Sequence, residues 1–197
     1  MPNIKPISDL RNYNEVLRDV TAGEPVFLTK NGRGRYAVVD IQEYEKSQAM
    51  VKLLTELARG VRSGQEEGWL ALDDVEKTLL GGNMAKVQIS PLAQQDMLNI
   101  RQYIETELGN PVAARRTVER ILKAIRQLEQ FPLSGTPLQY NGVDTGYRYV
   151  TSGNYVTFYI GTHTTAQVVR VLYGRRDTIR ILLGCSFQPE ETEEDIE

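Results

Sequence analysis

The sequence predicts an α+β protein made of two modules in one chain. Three observations carry that prediction. A methionine follows a glycine pair in the stretch Gly81-Gly82-Asn83-Met84-Ala85-Lys86, and the sequence changes character on either side of it. Upstream, the apolar pattern reads helix, strand, turn, strand, long helix. Downstream it reads strand, two helices and three strands, an order that sets helices on one face of a mainly antiparallel sheet. A length of 197 residues accommodates one domain or two small ones.

In the first half, Ser8 is placed to cap a helix starting near Asp9, with Leu10, Tyr13, Val16, Leu17 and Val20 at helical spacing. Gly23 and Pro25 stop it. Val26 to Thr29 reads as a strand, and Tyr36 to Val39 as its return. The Asn31-Gly32 pair between them is a strong hairpin signal. Asp40 and Glu43 have capping-box spacing and open a long helix to about Arg62, with Tyr44, Val51, Leu54, Ala58 and Val61 on one side. A polar link after Ser63-Gly64 leads to Trp69-Leu70-Ala71-Leu72. A second capping pair, Asp73 and Glu76, opens a short helix carrying Val75, Leu79 and Leu80. Nothing in residues 63–80 can build a core alone, so this amphipathic tail is expected to bury its apolar side on a partner, or to fold back on its own small domain.

In the second half, Lys86 to Ser90 alternates like a strand. Ser90-Pro91 starts a helix with Ala93, Met97, Ile100 and Ile104 inward, ended by Gly109. Asn110-Pro111 repeats the start signal for a helix bearing Val118, Ile121, Leu122, Ile125 and Leu128, which stops at Phe131-Pro132. A loop from Leu133 to Gly146 precedes strands at 147–152, 155–160 and 167–173. Gly153-Asn154 carries a type II′ signal.

The formal net charge of −3 hides an asymmetry. Residues 84–197 hold twelve cations, ten of them arginine, against thirteen acids, and six of those acids fall in the last eight residues. Without that acidic end the half carries a net +5. It is either an ordinary solvated surface or a basic module for an acidic partner. Cys185 is the only cysteine, so an intrachain disulfide is excluded and a reducing, cytoplasmic location is the simple reading. No apolar run is long enough to span a bilayer, and the N-terminus lacks the apolar core of a signal peptide. No metal cluster, phosphate loop or nucleophile triad is visible, so neither metal nor cofactor is expected.

Ile7-Ser8-Asp9-Leu10-Arg11, Ala22-Gly23-Glu24-Pro25-Val26, Thr29-Lys30-Asn31-Gly32, Ala37-Val38-Val39 and Tyr44-Glu45 together resemble the Phd/YefM antitoxin family over about residues 3–80. The resemblance implies a dimeric, operator-binding N-terminal domain that represses its own operon, and a tail that wraps a toxin. It places Arg11 at the family's DNA-contacting arginine, and Lys30 and Arg33 in a hairpin loop where cations meet phosphate. Gly32-Arg33-Gly34-Arg35 runs slightly longer than the family pattern. The tail residues expected to cover a toxin are Leu54, Leu57, Val61, Trp69, Leu72, Val75 and Leu79.

Ser152-Gly153-Asn154-Tyr155, Phe158-Tyr159 and Arg170-Val171-Leu172-Tyr173-Gly174-Arg175-Arg176-Asp177 resemble the RelE/ParE toxin superfamily, nearer its ParE branch, over about residues 86–183. The branches differ in chemistry. A RelE-like ribosome-dependent ribonuclease needs a base for the 2′-hydroxyl, cations for the pentacoordinate phosphate and an acid for the leaving oxygen. Arg148, Arg176 and Tyr173 are the residues that such an enzyme would use here. Val156 stands where a catalytic arginine is expected, and Leu182 near a terminal tyrosine's place. His163, the only histidine, falls in a hairpin loop. The ParE-like role, poisoning of DNA gyrase through a binding surface of Arg175, Arg176, Asp177 and Arg180, is therefore favoured. Arg176 and Asp177 can also simply pair or cap the last helix.

The organisation expected is a DNA-binding and dimerisation domain at 1–50, a toxin-neutralising tail at 51–80, a junction at 81–85, a toxin domain at 86–188 and an acidic, disordered end at 189–197. The partners expected are operator DNA, a second copy through the N-terminal domain, the chain's own toxin domain (intrachain or exchanged between two chains), and gyrase or the ribosome for a freed toxin. A plain transcriptional regulator remains the third alternative.

Overall fold

A computed structural model describes residues 3–21, 23–79, 87–174 and 179. The chain divides into two compact units, Met1–Val51 and Lys52–Glu197.

In the first unit, β1 (Asn3–Pro6) pairs in parallel with β2 (Val26–Lys30), which pairs antiparallel with β3 (Arg33–Val38). The sequence reading missed β1: four residues with one proline, Asn3-Ile4-Lys5-Pro6, carry too little pattern to read alone. The expected first helix splits into a 3-10 turn (Ile7–Asn12) and α1 (Tyr13–Arg18). Ser8 does not cap it; its hydroxyl bonds Asp9 instead. Asn31 and Gly32 both take positive φ, as a type I′ hairpin requires. The extra residue of that hairpin is absorbed by a bulge: Thr29 faces Gly34 and Leu28 faces Tyr36, leaving Arg35 without an opposite. Val16, Val26 and Leu28 form a small buried core, with Val20 and Val38 partly buried against it. Leu10, Tyr13 and Leu17, expected inside, are exposed.

Asp40 caps α2 (Ile41–Glu67), its Oδ1 accepting the Gln42 and Glu43 amides at 2.9 and 3.2 Å. This helix continues through Ser63-Gly64 to Glu67, past the expected end at Arg62.

The second unit holds a six-stranded sheet in the order β4-β5-β9-β8-β7-β6. Its strands are β4 (Leu70–Ala71), β5 (Gln88–Ile89), β6 (Thr136–Tyr140), β7 (Val143–Ser152), β8 (Tyr155–Gly161) and β9 (Ala166–Tyr173). Only β5 and β9 run parallel. β6 lies inside the stretch expected to be a loop, and joins β7 through Asn141-Gly142, both at positive φ. At Gly153-Asn154 only the glycine has positive φ, which fits type II′.

α4 (Pro91–Thr106) and α5 (Pro111–Gln130) start as expected, their first turns capped by the Ser90 and Asn110 side chains, which accept the Ala93 and Ala113 amides at 3.1 and 2.9 Å. α3 (Leu72–Leu79) joins them. Its Leu72, Val75 and Leu79 are buried in one core with Ile89, Met97, Val118, Ile121, Ile125, Tyr159 and Val168. Among the described residues, no helix is long and apolar enough to cross a membrane.

Candidate functional site

β9 reads Val168-Val169-Arg170-Val171-Leu172, a lone charge in an apolar run. Arg170 is only 6% exposed. A buried guanidinium must find acceptors, because its desolvation is otherwise uncompensated. Its Nε and Nη2 donate to the two carboxylate oxygens of Asp96 on α4, at 2.7 and 3.0 Å. That fork fixes the plane of the group. Asp96 Oδ2 also accepts the Val171 amide at 3.0 Å. The remaining nitrogen, Nη1, donates to the carboxylate of Glu56 on α2 and, at 3.4 Å, to the Glu56 carbonyl. Burial opposes ionisation of Glu56. The hydrogen bond and charge of Arg170, with Arg59 Nη1 at 2.9 Å from the other oxygen, outweigh it and hold the carboxyl below the ordinary glutamate range. Burial likewise opposes the charge on Arg170, and Asp96 and then Glu56 more than restore it.

One turn further along α2, Gly60 lies against the β9 backbone. A Cβ built there would stand 2.0 Å from the Val169 carbonyl oxygen. At Gly64 a Cβ would meet the Trp69 ring at 2.5 Å. Between the two glycines, Ser63 Oγ accepts the Leu92 amide at 3.1 Å, satisfying an otherwise unpaired donor in the first turn of α4, and donates to Glu67 at 2.8 Å. After Trp69, β4 pairs antiparallel with β5 and extends the sheet, and the Leu72 amide donates to the Val87 carbonyl at 3.1 Å. Arg101 Nη1 donates to the Leu79 carbonyl at 3.1 Å, a cation on the C-terminal end of α3. Residues 52–79 thus touch the 87–174 segment through a helix, a strand and a second helix in turn. An open cleft of about 520 Å³ lies beside this contact, lined by Arg59, Arg62, Glu66 and Glu67 on one side and Pro91, Leu92, Gln94 and Gln95 on the other.

The tail residues singled out from the sequence are placed unevenly. Leu57, Leu72, Val75 and Leu79 are buried; Leu54, Val61 and Trp69 are half-buried. The expected stripe on the long helix is turned. Val51, 61% exposed, and Ala58 face solvent, and the buried line runs through Leu53, Leu57, Gly60 and Gly64. The reason is the close approach: after Leu53 and Leu57 the buried line continues through Gly60 and Gly64, where a side chain would collide with Val169 and Trp69. Counting large apolar residues finds Leu53 and Leu57 but loses the line beyond them, where Val61 draws the stripe to the neighbouring side. Ser63-Gly64, read as a helix end, is part of that contact.

Of the residues a nuclease would use, Arg148 is held by the backbone, its Nη1 donating to the Leu133 and Gly135 carbonyls at 2.9 and 2.7 Å. Tyr173 packs its ring 5.5 Å from that of Tyr155. Arg148 faces Tyr159 across the sheet while Tyr173 faces Tyr155, four residues along β8, or about 13 Å. The two do not share a site. Val156 is fully buried, and His163 is exposed in the β8–β9 loop. Arg175, Arg176, Asp177, Arg180 and Leu182 lie outside the described residues, as do the junction at 81–85 and the acidic end. Arg11, Lys30 and Arg33 are exposed on the first unit, with Lys30 opposite Arg33 in the hairpin. Nearby Lys5 is paired at 2.5 Å with Asp19, whose hydrogen bond raises the lysine's pKa.

Sequence reasoning missed Glu56, Gly60 and Asp96 as a set. The available signals were the arginine inside an apolar strand and the glycines four residues apart in a long helix. Among the described residues, no group of three or more histidine, cysteine, aspartate or glutamate side chains is placed to hold a metal ion.

Residues 87–178 match the family model described as ParE toxin of type II toxin-antitoxin system, parDE. No curated protein matches the chain. Among solved structures, the chromosomal ParDE TA system from P. aeruginosa is similar at 18% identity and a TM-score of 0.37, covering 43% of this chain and 90% of that one. Residues 87–178 are a ParE toxin domain, and the helix-strand-helix segment seated on that domain comes from the same chain.

Proposed function

We propose that the chain is a self-neutralised toxin–antitoxin fusion. Residues 87–178 would inhibit DNA gyrase when bare, and residues 52–79 hold them inactive. The observation that carries this reading is the seating of the tail. It extends the sheet edge through β4, inserts α3 into the toxin core and sets α2 on β9 through Glu56 and Gly60. A segment so placed covers surface that a target would need.

The nuclease alternative draws less support. Its candidate Arg148 is engaged by two carbonyls, its Tyr173 stands apart, and Val156 offers no ionisable group. A binding surface needs none of these.

For residues 1–50 we infer operator binding as a dimer of the Phd/YefM type. Tyr13, Leu17, Tyr36 and Tyr44 are at least half exposed, more apolar surface than so small a core leaves uncovered in a monomer. Exposed Lys30 and Arg33 on a tight hairpin suit phosphate contacts.

The test expresses residues 87–197 alone and the full chain in parallel in bacteria. Growth arrest by the fragment only, with loss of gyrase supercoiling activity in its presence, is the expected result. Arrest with normal supercoiling and mRNA cleaved on ribosomes would move the assignment to the ribonuclease branch. Absence of arrest would remove the toxin reading.

A further inference from the structure

We propose that the α2-facing side of β9 is a keyed groove that selects its occupant by two features one helical turn apart: a carboxylate for Arg170 Nη1 and, four residues on, a position with no side chain. The occupant is residues 52–67 of this chain, with Glu56 and Gly60 as the key. The seating itself stands on contacts within one unit; only its consequence for toxicity rests on the function proposed above.

Asp96 takes two of the three donor nitrogens of Arg170 and turns the third toward α2. Arg170 is buried, so that third nitrogen needs an acceptor, and a neutral apolar helix would offer it only the long bond to a backbone carbonyl at 3.4 Å and no countercharge. Four residues later a side chain is excluded. The Val169 carbonyl oxygen lies 2.0 Å from where a Cβ at residue 60 would be, and its carbonyl carbon 2.7 Å. That neighbour is strand backbone held at three points: Val168 and Arg170 on either side of it pair with Tyr159 and Phe158 of β8, and the Val169 carbonyl itself accepts the Ser90 hydroxyl at 3.0 Å, so moving it breaks those bonds. Charge sets the register along the helix axis and absence of a side chain sets the distance. A helix slipped by one residue would satisfy neither feature: Val61 would meet the carbonyl and Leu57 the guanidinium. Ser63 then fixes rotation through the Leu92 amide.

The full-length chain supplies its own probe. Trp69 is its only tryptophan and packs on Gly64 at the end of the seated helix. The variants are Gly60→Ala, Glu56→Lys and a solvent-side control, Ala58→Val. Alanine is a better helix former than glycine, so Gly60→Ala strengthens α2 as a free helix and can weaken it only through seating. Hydrogen exchange of amides 53–67 should rise at least about tenfold in Gly60→Ala and Glu56→Lys, with a red shift of Trp69 emission, while amides of β7 and β8 stay protected and Ala58→Val behaves as the parent. Unchanged exchange of 53–67 in both variants would overturn the proposal. So would an equal rise in Ala58→Val. If β7 and β8 also lose protection in Gly60→Ala, Glu56→Lys, whose side chain is partly exposed, decides alone. A growth assay on the same variants separates the two readings: unseated tails without growth arrest would count against the toxin function and leave the groove standing.

Discussion

At the scale of single residues, charge burial decides what each side chain does. The Glu56 carboxyl is held below its ordinary value in the folded chain, so its contribution to tail seating is complete above the ordinary glutamate pKa of about 4.3 and is lost as pH falls through the lowered folded value. Trp69 emission should therefore be flat from about pH 8 to about 5 and shift only at lower pH, with the shift starting at higher pH than in the parent if Arg59 is replaced by alanine. A transition near neutral pH would show that another group governs seating. Arg148 makes the complementary case. Its two bonds to the Leu133 and Gly135 carbonyls tie the segment before β6 to β7, and Tyr159, whose ionisation burial opposes, accepts the Gly135 amide at 2.9 Å. Arg148→Met should cost about 1–3 kcal/mol in denaturant unfolding, the range for stranding a buried polar partner, and Tyr159→Phe about 1 kcal/mol. If Arg148 were catalytic instead, its loss would abolish toxicity at unchanged stability. The sequence named Arg148 and passed over Arg170. Arg170 stands in an apolar run and Arg148 between tyrosines, which marks Arg170 as the one to be buried, but only the geometry of Asp96 shows that it faces the tail.

At the scale of elements, legibility followed local chemistry. α4 and α5 were readable to the residue at their starts because a Ser-Pro and an Asn-Pro pair each supply a capping side chain and a preset first position. The apolar line on α5, Val118 to Leu128, is long and one-sided, and it is buried as expected. β6 was not recognised, although Asn141-Gly142 carries the same hairpin signal as Asn31-Gly32; the Pro137 beside it argued for a loop, and an edge strand tolerates that proline. α2 is legible as a helix but its buried side is not, because beyond Leu53 and Leu57 the contact face continues through Gly60, Ser63 and Gly64, which carry no apolar signal. The element with most at stake is α3, eight residues that could not hold a helix alone. Leu72, Val75 and Leu79 place it in the shared core, and Leu72 is fully buried. Leu72→Ala should remove about 2–5 kcal/mol from the second unit, measured by urea unfolding. If α3 were only laid on the surface, the loss would fall within about 0.5 kcal/mol.

At the scale of the whole molecule, the question is whether the tail covers the toxin domain of its own chain or of a second copy. Chain length favours its own. The Leu72 amide bonds the Val87 carbonyl, so the start of α3 sits beside the start of the toxin domain. Eight helical residues carry the chain about 12 Å away. The roughly seven residues between Leu79 and Val87 reach about 24 Å when extended, about twice what the return needs. A tether of that length holds the tail at an effective concentration of about a millimolar, far above that of a second copy in a dilute sample. The expected outcome is that seating, followed by Trp69 emission and by protection of amides 53–67, is unchanged on dilution from about 100 µM to about 0.1 µM. The dimer proposed for the first unit would dissociate over part of the same range, visible by light scattering, without disturbing either signal. Tails exchanged between two chains would instead be lost together with the dimer, and the two transitions would coincide. The same experiment on the Glu56→Lys chain adds a second check, because a weakened seat in cis shifts its emission by the same amount at every concentration, whereas a weakened exchanged seat becomes steeper with dilution.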